Sequence, residues 1–339
     1  MNTSGNTAAV EGQRLTARRI FSLVAAELAL VEQEFERQAR SNIQVIAYIG
    51  DYLRASGGKR VRPALTLLSA SAVGGDASRQ NVVRMATVME FLHTATLVHD
   101  DIIDNAETRR NRASINSRFG NQTAVLMGDW LYMTAFEVSL EQRSLEILDI
   151  LTRLTRMMTE GELVQLTLVG DVEITEEQYF EVLRRKTAYL FSGCCEIGAI
   201  LAASNPHEQA ALQEYGMNLG IAFQLADDSL DFTADEKTIG KAAGTDLLEG
   251  KMTLPLIKLV QRDPDARQML ENIMDDGIYT NGTRSEIARR LNKFSILEDT
   301  KVVARSFGEA ARKNLEVLPE TEYRSALETI PDFVVRRNS

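Results

Sequence analysis

The chain has 339 residues, 44% of them hydrophobic and 25% charged, with a formal net charge of −10 at pH 7. That is enough apolar material for one large core, and the acidic balance excludes a general nucleic-acid binder, which needs clustered Lys and Arg against phosphate. The most apolar window, Phe191 to Ala203, is broken by Glu196 and too short to cross a bilayer, so no stable membrane insertion is expected.

The opening stretch, MNTSGNTAAVEG, lacks the basic start and apolar block of an export signal. Residues 1–14 are therefore expected to form a disordered tail, and 15–335 a single helical domain, since no Pro/Gly/Ser-rich linker divides the chain. Cys194 and Cys195, the only cysteines, are neighbours in an apolar stretch and read as core residues of a cytoplasmic protein.

In chain order, Ile20, Leu23, Val24, Leu28, Val31 and Phe35 recur at three- and four-residue spacing, which predicts an amphipathic helix. Comparable patterns predict helices over 41–54, 60–73, 79–103, 121–139, 144–168, 175–203, 207–232 and 252–262, and shorter ones beyond 264. No strand run competes, so the fold class is all-α. Between the first helices, Gly57-Gly58-Lys59-Arg60-Val61-Arg62-Pro63 sets paired glycines before a basic cluster at a helix start. Such a loop lets backbone approach an anion and places Lys59 and Arg62 three apart on one face, although its spacing is not that of a P-loop.

The helices over 79–103 and 207–232 are apolar on most faces, yet each ends in carboxylates: Asp100, Asp101 and Asp104 in the first, Asp227, Asp228 and Asp231 in the second. Residues four apart share a helix face, so Asp100 with Asp104 and Asp227 with Asp231 each form a carboxylate pair. Negative charge near a helix C-terminus opposes the helix dipole and repels itself, which calls for a cation; Mg²⁺ prefers oxygen ligands and binds through one or two carboxylates plus phosphate oxygens. One such cluster is usually only a solvated face. Two, each followed by cations (Arg109, Arg110 and Arg112; Lys237, Lys241 and Lys251), suggest a diphosphate held between carboxylate-bound metal and basic side chains.

The segments GGKRVRP (57–63), HTATLVHDDIIDNAETRRNRAS (93–114), EGELVQL (160–166), RRKTAYLF (184–191) and AFQLADDSLDFTADEKTIGKAAGTDLLEGKMTLPLI (222–257) together resemble the trans-type polyprenyl diphosphate synthases, in family order over roughly residues 20–330. The resemblance implies an isoprenoid synthase-type helical bundle around a deep central cavity, usually a homodimer. It implies three Mg²⁺ with an allylic diphosphate that ionises and is attacked by the double bond of isopentenyl diphosphate. By position it makes Asp100, Asp104 and Asp227 the principal metal ligands, supported by Asp101, Asp228 and Asp231. It assigns Arg109, Lys186, Thr187, Gln224, Lys241 and Lys251 to the allylic diphosphate, and Lys59, Arg62, His93 and Arg110 to isopentenyl diphosphate. Asn111, Ser114 and Ser229 depart from the usual residues of the family; none removes a charge.

Chain length in this family follows the depth of the cavity. Ala95 and Thr96 are small where short-product members tend to carry an aromatic residue, so the resemblance is to the long-chain, octaprenyl-like group that supplies quinone side chains, with products of C30–C50. Met89, Leu92, Met133 and Phe136 are candidate floor residues, and Ala95→Phe is expected to shorten the product. The alternatives are a short-chain synthase, a terpene cyclase, disfavoured by the second aspartate cluster, and a non-catalytic subunit, which would be expected to have lost one cluster.

Overall fold

The computed structural model describes residues 16–55, 57–110, 112–233, 244–280 and 282–336, and most of this length is helical. The helices are α1 (Ala17–Ser22), α2 (Ala25–Ala39), α3 (Gln44–Ala55), α4 (Val61–Ala72), α5 (Gln80–Ile103), α6 (Ile115–Phe119), α7 (Asn121–Leu140), α8 (Leu145–Leu168), α9 (Glu176–Leu183), α10 (Tyr189–Leu201) and α11 (Pro206–Thr233). They continue with α12 (Thr245–Leu248), α13 (Leu254–Arg262), α14 (Arg267–Asp276), α15 (Thr283–Lys293), α16 (Ile296–Asn314) and α17 (Glu322–Val335). Polar caps set several starts. Ser144 accepts from the Ile147 amide ahead of α8, and Thr175 with Gln178 forms a reciprocal capping box ahead of α9.

Three expectations about elements are corrected, the first being that the helix predicted through Ile20 to Phe35 is two, α1 and α2, parted at Leu23 and Val24. The helix predicted over 175–203 is not one α-helix: Arg184–Ala188 forms a π-helical segment between α9 and α10. Strands are also present among the described residues, a hairpin of Thr108–Arg109 (β1) with Arg112–Ala113 (β2) in antiparallel register. Two-residue strands are too short to show an alternating pattern, so this hairpin leaves no sequence signal.

α5 is buried on most sides and packs on α7, α4 and α2; α4 packs on α10, α10 on α11, and α11 on α16. Phe91, Phe191 and Tyr215 are fully buried, each contributing about 1.5–3 kcal/mol by leaving water. The Tyr215 hydroxyl donates to the Leu327 carbonyl at 2.8 Å and ties α17 to α11. Cys194 and Cys195 are unpaired and fully buried in this same core. A second apolar cluster, including Leu183, Leu225, Leu247, Leu254, Leu270 and Leu291, assembles beneath the C-terminal part of α11. The carboxylate ends of α5 and α11 open into a single cavity.

Candidate active site

That cavity measures about 830 Å³. Asp100 comes from α5, Asp227, Asp228 and Asp231 from α11, and Asp246 from α12; Lys59, Arg62, His93, Arg109 and Arg110 line the same cavity. Val61, Thr96, Leu97, Leu190, Phe223 and Leu230 supply apolar wall between them. The structure thus brings together most of the residues expected from sequence. Lys241 and Lys237 lie outside the described residues, as do the N-terminal tail and Asn111.

The first aspartate cluster divides. Asp100 faces the cavity, where burial pushes its carboxyl up to about 6 against the pull of Lys186. Asp101 is buried and accepts the Arg109 Nε–H at 2.6 Å, so it orients that guanidinium at the cavity edge. Asp104 pairs with Lys251 at 2.8 Å, and Lys251 also holds Glu249 at 2.7 Å. Against the effect of burial, these two carboxylates keep the Lys251 ammonium above its ordinary range. The hairpin that follows reverses at Arg110, whose φ is +52°, and points Arg109 and Arg110 inward. Arg112 lies instead over the Tyr52 ring at 4.4 Å. Ser114 caps α6 and donates to the Ala106 carbonyl at 2.5 Å, work that its hydroxyl does at this loop.

The glycine loop departs from its expected geometry. Arg60 adopts a left-handed conformation (φ +49°), gripped by Glu32 and, at 2.7 Å, by Glu90, so α4 starts only at Val61. Lys59 is exposed on the approach to the helix, and Lys59 and Arg62 do not share a helical face. Arg110 donates to the Gly57 carbonyl, and a Cβ on Gly58 would stand 2.7 Å from its guanidinium, so Gly58 makes room for an arginine. Arg62 stacks over Phe191 at 4.9 Å, its Nε buried without a partner. His93 is held well below its ordinary pKa by burial and then by Arg62, Arg110, Arg109 and Arg60, which makes it a neutral imidazole in a cationic pocket.

The second cluster is more deeply set. Asp228 is 4% exposed; its two oxygens accept from Tyr179 (2.5 Å) and Gln224 (2.8 Å), and Gln224 accepts from Thr187 at 3.0 Å. Asp231 accepts the Gly244 amide at 3.0 Å and further amides at the start of α12, while its Oδ2 is buried without a partner. Burial, then the proximity of Asp246, pushes the carboxyls of Asp228 and Asp231 upward. Ser229 turns its hydroxyl back to the Leu225 carbonyl at 2.8 Å, which explains how a polar residue is tolerated there. The π-helical segment presents Lys186 and Thr187, with Lys186 held by Glu162 at 2.5 Å and Gln165 at 2.8 Å.

The donor set suits a hard cation: carboxylates from α5, α11 and α12 line one cavity, and Asp231 Oδ2 is buried with no hydrogen-bond partner among the described residues. Among the described residues, no three His, Cys, Asp or Glu side chains converge closely enough to hold an ion alone.

Sequence reading missed Asp246, Glu90, Glu162 and Tyr179 as parts of this site. Glu90 had a signal, a charge between Met89 and Phe91 in an apolar helix that must find a partner. Tyr179 had none. Of the expected tunnel wall, Thr96 lines the cavity, whereas Ala95 is fully buried in the main core and does not. Met133 is 61% exposed on α7, whereas Met89 and Leu92 are buried.

A family model described as Polyprenyl synthetase matches residues 43–289. The chain is 38% identical to octaprenyl diphosphate synthase of Escherichia coli (strain K12) over 96% of its own length and 100% of that protein's. It is 34% identical to the geranyl-diphosphate-specific all-trans-nonaprenyl-diphosphate synthase of Rhodobacter capsulatus, covering 94% and 97%. Its fold superposes on a Caulobacter crescentus polyprenyl synthase, solved with calcium and isoprenyl diphosphate, with a TM-score of 0.91 at 34% identity, covering 96% and 99%.

Proposed function

We infer the chemistry of the cavity from one premise: the chain belongs to the polyprenyl synthetase family and is a trans-prenyltransferase making long-chain trans-polyprenyl diphosphate. Its substrates are isopentenyl diphosphate and an allylic diphosphate, and the family is generally magnesium-dependent. The observation that carries the finer reading is that one cavity is lined both by carboxylates from the ends of α5 and α11 and by Lys59, Arg62, Arg109, Arg110 and Lys186.

Asp100, Asp104 and Asp227, with Asp231 beside them, are the groups to hold three Mg²⁺ with the allylic diphosphate. The ions supply positive charge to the departing diphosphate. Lys186, Thr187, Gln224, Lys251 and Arg109 orient that diphosphate; Lys241 joins them in this reading. Arg62, Arg110, Lys59 and neutral His93 hold isopentenyl diphosphate, so that each anion has its own set of cations while their carbon chains meet. The allylic C–O bond breaks, the isopentenyl double bond forms the new C–C bond, and the proton it releases goes to the departing diphosphate. Leu97, Leu190, Phe223 and Leu230 exclude water from the cation.

C40 is the product favoured, from the length class of the relatives and from small Thr96 on the wall. A homodimer is supported by the apolar outer side of α7, where Leu126 and Met133 are 68% and 61% exposed; sedimentation at twice the chain mass is the expected result. Incubation with Mg²⁺, labelled isopentenyl diphosphate and geranyl, farnesyl or geranylgeranyl diphosphate should give products near C40. Asp227→Ala should lower turnover by about 10²–10³, the scale of losing one charge-stabilising group, with melting little changed. Products of C15 or C20 would overturn the length, and normal turnover in Asp227→Ala would overturn its role.

A further inference from the structure

We propose that Tyr179 is a positioning residue for the diphosphate site: through Asp228 it sets the amide of Gln224 and the hydroxyl of Thr187, and Asp228 is a strut in this chain rather than a metal ligand. The proposal rests on the functional reading above. It starts from the geometry of the four groups. Tyr179 is buried on α9, behind the cavity, and its hydroxyl reaches Asp228 Oδ2 at 2.5 Å. Gln224, one turn earlier on α11, donates to Asp228 Oδ1 at 2.8 Å, and Thr187 in the π-helical segment donates to Gln224 Oε1 at 3.0 Å.

Each oxygen of Asp228 therefore already accepts a hydrogen bond from a protein donor, on a carboxylate that is 4% exposed. Those bonds take one lone pair on each oxygen and fix the plane of the carboxylate, and at 4% exposure its remaining lone pairs have little room for a hydrated ion. The same bonds fix which way the Gln224 amide points: its N–H group faces Asp228 and its oxygen faces Thr187. With α9 continuing into the π-helical segment that carries Lys186 and Thr187, one tyrosine hydroxyl couples the position of that segment to the aspartate end of α11. Bulged π-helical turns are common at functional sites, where they re-aim side chains at the cost of regular helix bonds.

Tyr179→Phe removes only the hydroxyl and keeps the edge-on contact with the Phe180 ring, whose centroid is 5.3 Å away. Titration calorimetry of the full chain with inorganic pyrophosphate and Mg²⁺ should show binding weakened by about 3- to 10-fold, the scale of one buried hydrogen bond. In turnover, KM for the allylic diphosphate should rise while KM for isopentenyl diphosphate holds. Asp228→Asn can still accept from Gln224 and donate to Tyr179, so its Mg²⁺ half-saturation at fixed pyrophosphate should move less than about twofold, whereas Asp227→Asn should move it by more than about tenfold. Pyrophosphate affinity equal to wild type in Tyr179→Phe, or an Asp228→Asn shift as large as that of Asp227→Asn, would overturn the proposal. A wild-type protein that takes up no magnesium pyrophosphate would overturn the underlying reading of the site along with it.

Discussion

At the scale of single residues, the site is dominated by the cost of burying carboxylates. Asp100 is pushed up to about 6 from an ordinary 3.8, and Asp228 and Asp231 move the same way. A carboxyl whose folded pKa lies above its unfolded value binds its proton more tightly when folded. It therefore favours the fold most at low pH, and that contribution is lost as pH rises through the folded value. Metal-free protein in chelator should accordingly lose melting temperature as pH rises through about 6, by up to about 1.4 kcal/mol per pH unit for each such group. Mg²⁺ with pyrophosphate should flatten that dependence, because a cation at the carboxylates favours their charged forms. A metal-free profile already flat across this range would show that the carboxyls are not desolvated as the geometry indicates.

At the scale of elements, the feature that most shapes the site is the close approach of α8 to the π-helical segment. Gly161 sits where a Cβ would lie 2.7 Å from the Arg185 Cβ and 2.9 Å from the Lys186 backbone nitrogen. Neither neighbour is the far end of a flexible side chain, so an added methyl must shift backbone. Gly161→Ala should cost about 1–3 kcal/mol in chemical denaturation, as overpacking does, and should weaken allylic diphosphate binding by moving Lys186 away from Glu162 and Gln165. Unchanged stability and unchanged KM would mean that the two elements can part without consequence. The helices themselves were largely legible: α5, predicted at 79–103, spans Gln80–Ile103, and α8, predicted at 144–168, spans Leu145–Leu168. The π-helical segment was not, because helical patterns run up to it on both sides and only the ladder of backbone bonds differs within it.

For the molecule as a whole, the side chains around the cavity are expected to set the length of the product. Thr96 faces it and Ala95 does not. Thr96→Phe should place a ring in the cavity and shift products toward shorter chains, read by chromatography of the extracted alcohols. Ala95→Phe must instead enter a filled core, at about 1–3 kcal/mol, so a loss of stability is expected in place of clean shortening. Full-length products from Thr96→Phe would show that the growing chain runs elsewhere. No helix among the described residues is long and apolar enough to cross a membrane.

The amino-acid sequence by itself determined the helical class, the two apolar helices ending in aspartates and the cations after them. These follow from periodicity and from the near-prohibition on leaving carboxylates beside an apolar face without a partner, both of which act over a few residues. Only the tertiary structure decided which charges face the cavity and which hold one another. Asp101 turns to Arg109, Arg60 to Glu32 and Glu90, and Asp228 to Tyr179, 49 positions earlier in the chain. Those pairings depend on how helices distant in sequence pack, and a motif read along one helix carries no record of what its neighbour presents.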